Sequence, residues 1–171
     1  TIQRYSLAEH CFYVGKLFQE CCEYMGLNCP EEMLSWVYEH DMIEVVTGDV
    51  LYPAKNMFNN NKLWDQIEEN VAKTDDVLQK NTEKHASRVI FKGNLDYWKI
   101  FRAADMFELF MFVVEEISLG NDALWGILKT ASEVLIKLDV VYFRQFAIRL
   151  LQENGVEEGT IKNLGLDPLL E

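Results

Sequence analysis

Between His40 and Asp49, ten residues hold one histidine and three carboxylates, Asp41, Glu44 and Asp49, flanked by apolar sequence. All four are groups able to bind a cation or carry a proton. A helix over residues 40–46 would set His40 and Glu44 one turn apart on one face, with Asp41 beside them. Imidazole and carboxylate ligands together suit a hard or borderline metal ion. Gly48 is placed to end such a helix, and Asp49 beyond it would add a carboxylate or cap the next turn. Two further residues, His10 and Asp105, fall on predicted helices with apolar neighbours. Taken singly, each of these is more simply a hydrogen-bonded core histidine or a capping aspartate. Together, His10, His40, Asp41 and Asp105 form a set that one divalent cation would satisfy, whereas unpaired charges in such surroundings are costly.

Helices must position these groups. Ser6 followed by Glu9 is a capping box, and Leu7, Cys11, Val14, Leu17, Phe18, Cys21 and Met25 then recur at helical spacing until Gly26. Pro30, Glu31 and Glu32 open a second helix, with Met33, Leu34, Val37 and Ile43 on its apolar face and the His40-Asp41 pair near its far end. Residues 47–61, with Gly48, Pro53 and four asparagines, read as a functional loop whose one cation is Lys55. An amphipathic helix is expected over 63–78, a polar connection over 79–94, and a helix crossing the core over 95–119 that carries Asp105. Asn121-Asp122 opens a helical region to about residue 154, broken near 138–140, and residues 155–171 are expected to be a loosely packed tail. With no strand pattern and no internal repeat, the chain reads as one all-α domain.

Composition narrows the function classes. Of the 171 residues 49% are apolar, which makes this a globular chain. A formal charge of -12 argues against a nonspecific grip on a nucleic-acid polymer or an anionic membrane surface, but leaves room for a small phosphorylated substrate held by local cations. No apolar run reaches the roughly eighteen residues of a membrane span, and no secretory leader is evident. The four cysteines, Cys11, Cys21, Cys22 and Cys29, lack CxxC spacing and are expected to be reduced thiols of a cytoplasmic protein. Phe107, Phe110, Phe112, Tyr142, Phe143 and Phe146 exceed what a single inward stripe needs, so a homodimer is expected.

Four segments carry a family resemblance. Arg4-Tyr5-Ser6-Leu7-Ala8-Glu9-His10, then His40-Asp41-Met42-Ile43-Glu44-Val45-Val46-Thr47-Gly48-Asp49, then Pro53-Ala54-Lys55, then Arg102-Ala103-Ala104-Asp105 resemble, in order, the motifs of the HD-domain phosphohydrolases. The bacterial 5'-deoxynucleotidase branch is the nearest likeness. The resemblance lies within residues 4–108 of a single HD domain, and helices over 122–154 are left to complete the core or a dimer interface.

The resemblance implies a helical fold in which His10, His40, Asp41 and Asp105 bind one divalent metal, whether manganese, cobalt, iron, nickel or zinc. It implies catalytic roles for Glu44, which would orient the water, and for Asp49, which resembles a family residue near the sugar. Arg4 and Lys55 look like phosphate binders, a use that suits a guanidinium fork well. Tyr5 occupies the place where the branch commonly has a tryptophan, and Arg102 would hold Asp105 or reach the substrate. Dinuclear relatives use additional histidines, and only His85 is left over here, which favours a single metal. The implied activity is removal of phosphate from a deoxynucleoside 5'-monophosphate. The alternatives are a deoxynucleoside triphosphate triphosphohydrolase of the compact phage type and a non-catalytic HD module that binds a nucleotide or a protein. The small number of candidate cations favours the smaller phosphate.

Overall fold

Ser6 begins the first helix in the computed structural model, which describes residues 6–48, 66–67, 69–71, 73–74 and 93–166. The Ser6 hydroxyl accepts from the Glu9 amide at 3.2 Å, and the Glu9 carboxylate accepts from the Ser6 amide at 2.9 Å. This reciprocal pair satisfies two backbone donors that a helix start leaves without partners. The helix, α1 (Leu7–Tyr24), buries Cys11, Val14, Leu17, Phe18, Cys21 and Cys22 along one side. Helix α2 (Glu31–Tyr38) follows Pro30 and buries Met33 and Val37.

At Tyr38 the structure departs from the helix expected to run on through residues 40–46. Residues 39–43 are turns, and a short helix, α3 (Glu44–Thr47), follows them. The cause lies in His40, whose Nδ1 donates to the Val37 carbonyl at 2.7 Å. In a continuing helix that carbonyl would accept from the backbone amide of residue 41. The chain instead tightens into three-residue bonds, Glu39 to Trp36, Met42 to Glu39 and Glu44 to Asp41. His40 and Glu44 are therefore not on one helical face. Gly48, at φ 72°, ends α3 as expected.

The longest described helix, α4 (Leu95–Ser118), is the axis of the fold. It packs against α1, against α5 (Trp125–Leu138) and against α6 (Val141–Glu153), with a 3-10 turn at Asp122–Leu124 leading into α5. Asp139 breaks α5 from α6 in a left-handed conformation, φ 52°, and its carboxylate holds Arg144 at 2.7 Å. Between these helices Phe18, Phe107, Phe110 and Phe143 are fully buried. Phe107 stacks on Phe110 with centroids 5.8 Å apart and meets Phe143 at 5.4 Å. Much of the aromatic surplus set aside for a dimer is thus consumed inside one copy.

Residues 155–166 also differ from the tail expected over 155–171. Helix α7 (Glu158–Asn163) folds back onto α6, and Ile161, Leu164 and Leu166 are buried in the core. Among the described residues there is no strand, and the fold is all-α as expected. No described helix is long and apolar enough to cross a membrane. All four cysteines are free thiols. Arg4, Tyr5, Asp49, Lys55, His85 and residues 79–92 of the connection expected over 79–94 lie outside the described residues. Of the helix expected over 63–78, residues 66–67, 69–71 and 73–74 are described: 66–67 and 69–71 are helical, whereas 73–74 form a turn.

Candidate metal centre

Three segments meet at one point. The capping box starts α1 so that His10 lies just inside it. The turn after α2 presents His40 and Asp41. The middle of α4 carries Asp105. His10 and His40 approach through their Nε2 atoms at 3.3 Å, and Asp41 Oδ2 stands 3.4 Å from the first and 3.3 Å from the second. One ligand atom from each of His10, His40 and Asp41 lies within 4.8 Å of the others. Asp105 falls outside that mutual limit but adjoins the cluster, with Oδ1 3.6 Å from His10 Nε2. Its other oxygen accepts from Arg102 Nη1 at 3.0 Å, so Arg102 is the residue that holds Asp105 here.

The orientation of both rings is fixed from behind. The Val37 oxygen can only accept, so His40 carries a proton on Nδ1 and turns Nε2 toward His10. His10 Nδ1 meets Glu108 Oε2 at 2.9 Å, which likewise leaves its Nε2 facing the cluster. His40 is also walled by aromatic rings, Phe101 edge-on at 5.1 Å and Trp36 at 6.2 Å, and its side chain is only 5% exposed.

The electrostatics follow from this crowding. Burial opposes charge on His40, but hydrogen bonds with Asp41 and Cys11 and the nearby carboxylates of Asp41 and Asp105 outweigh it and raise its pKa to about 10. Burial alone would lift the Asp41 carboxyl, yet its hydrogen bonds with the two histidines and their positive charge hold it well below the usual carboxylate range. The cluster thus has a strong demand for positive charge at its centre, from a proton or from a cation. Two imidazole nitrogens converging with carboxylate oxygens form a donor set that fits a divalent transition metal.

Glu108 was not legible as part of this site. It stands three residues after Asp105, one turn along α4, and the available signal was that second carboxylate within the otherwise apolar stretch 103–114 of the helix. The apolar run around it reads as core, and only the packing of α1 on α4 brings it to His10. It is 4% exposed, and burial raises its carboxyl pKa to about 7. Glu44, the first residue of α3, is partly buried.

Comparison with known proteins places the chain in a family. No curated protein and no solved structure matches the chain. The family model described as 5'-deoxynucleotidase YfbR-like matches residues 1–153. That span takes in every helix that contributes to the histidine and aspartate cluster, and it reaches to the end of α6. The chain belongs to the YfbR-like 5'-deoxynucleotidase family, whose members are phosphohydrolases.

Proposed function

We propose that the protein hydrolyses deoxynucleoside 5'-monophosphates to the nucleoside and phosphate at a single divalent metal held by His10, His40, Asp41 and Asp105. A divalent ion bound by these residues would supply Lewis acidity toward the phosphoryl oxygens and lower the pKa of a coordinated water. The Val37 carbonyl and the Glu108 carboxylate orient the two imidazoles, and Arg102 orients Asp105. Glu44 orients the attacking water and accepts its proton. The water oxygen bonds to phosphorus, the bond from phosphorus to the 5'-oxygen breaks, and a proton passes to that oxygen. Arg4 and Lys55 bind the phosphate, Tyr5 packs on the nucleoside, and Asp49 contacts the sugar. All four lie within the span that matches the family.

The observation that carries this reading is the convergence of His10, His40 and Asp41 within 4.8 Å in a chain of this family. The test is a screen of nucleoside mono-, di- and triphosphates with the protein loaded in turn with manganese, cobalt, iron, nickel and zinc. Orthophosphate released from deoxynucleoside monophosphates is the expected result. Inorganic triphosphate as the product would replace the assignment with a triphosphohydrolase, and no turnover with any metal would leave a binding module.

A further inference from the structure

Outside the histidine and aspartate cluster, two polar residues are buried among the described ones, Glu108 and Ser132. Ser132 is accounted for locally, because its hydroxyl donates to the Leu128 carbonyl one turn back at 2.8 Å. Glu108 has no such local partner. Its carboxylate reaches across from α4 to α1 and meets His10 Nδ1 at 2.9 Å. A buried carboxylate is costly to desolvate, and in an apolar helix face it is stable only with a partner that repays the cost.

We infer that Glu108 is a positioning residue for the metal centre: by accepting from His10 Nδ1–H it fixes the tautomer and the rotation of the ring, so that Nε2 presents its lone pair to the cation. The inference rests on the reading of His10 as a metal ligand. The placement is specific, because α4 touches both sides of one imidazole. Asp105 stands 3.6 Å from Nε2 and Glu108 stands 2.9 Å from Nδ1. The ring is held between two carboxylates one helical turn apart. His40 is served differently, by the neutral carbonyl of Val37. The two imidazoles are therefore unequal as donors, since an anionic acceptor behind His10 strengthens its Nε2 toward a cation more than a carbonyl does behind His40.

The experiment uses the full chain as wild type, Glu108→Gln and Glu108→Met, with cobalt(II) alone as the probe. Affinity is measured by competition with a chromogenic chelator, ring orientation by the visible absorption of bound cobalt, and folding by thermal melting. Methionine keeps the volume and removes the acceptor, whereas glutamine keeps an accepting oxygen and removes the charge. Glu108→Met is expected to weaken cobalt binding by about 10- to 100-fold and to alter the cobalt spectrum, with Glu108→Gln between it and wild type. Glu108→Met within about two-fold of wild type, or Glu108→Gln as weak as Glu108→Met, overturns the positioning role. Should Glu108→Met fail to melt cooperatively, Glu108→Gln decides alone, and affinity within about two-fold of wild type overturns the role. Wild type that binds no cobalt sinks the ligand reading of His10 itself, a result distinct from equal binding by all three proteins.

Discussion

At the scale of single residues, the site separates groups that would hold a metal from the group that would use it. Asp105 offers one oxygen toward His10 and spends the other on Arg102, so its removal takes away a donor and leaves the guanidinium without that carboxylate. Asp105→Ala is expected to lose retained metal on gel filtration, as read by elemental analysis. Glu44→Ala is expected to keep the metal and to lose turnover by about 10²- to 10⁴-fold, the usual worth of a positioned acid or base. Full turnover in either variant would break these assignments. The residue types were legible in the sequence, because two histidines and two aspartates in apolar sequence demand partners. The nitrogen each ring presents was not legible, since that depends on Val37 within one turn and on Glu108, 98 positions away from His10.

At the scale of elements, the chain reads well where energies are local and poorly where a side chain competes with the backbone. The start of α1 follows from a capping box contained in four residues, and the end of α3 from one glycine at positive φ. The turn at His40-Asp41 exists because an imidazole takes a carbonyl that helical periodicity assigns to an amide. Just before it, the Tyr38 ring at the end of α2 lies against Gly15, where a Cβ would run into it. Gly15→Ala therefore pushes Tyr38 away and carries the following His40 turn with it. The expected cost is about 1–3 kcal/mol of stability by overpacking, with weaker metal binding alongside. Gly126→Ala in α5, where nothing lies within 4 Å of the added carbon, is the control and should be neutral or stabilising by up to about 1 kcal/mol. Denaturant unfolding and cobalt titration of both variants check the pair, and equal behaviour would show that the approach of α2 to α1 does not set the site.

At the scale of the whole molecule, the core that α4 organises also buries chemistry the site does not use. Cys21 and Cys22 have no exposed surface, and burial pushes both thiols up to about 12, with neighbouring thiols adding to the effect at Cys22. A thiol whose pKa is raised on folding contributes stability that is present below its ordinary value of 9.0 and is lost as pH rises toward about 12, because the unfolded chain ionises first. Stability measured by urea unfolding should accordingly fall from pH 9 upward. At pH 8, iodoacetamide should label Cys21 and Cys22 in urea but not in the native protein, as read by mass spectrometry. Native labelling at the unfolded rate would contradict this burial.

The sequence by itself determined the all-α class, the places where α1 and α3 respectively begin and end, and the residue types that the histidine and aspartate cluster is built from. Caps, glycines and apolar periodicity act over a few residues and leave a readable trace. Only the tertiary structure decided that His10 and His40, thirty positions apart, face each other through Nε2, and that Glu108 stands behind His10. It also decided that residues 158–166 close the core instead of trailing from it. These outcomes depend on contacts between distant segments, whose energy is shared by partners that no local pattern names.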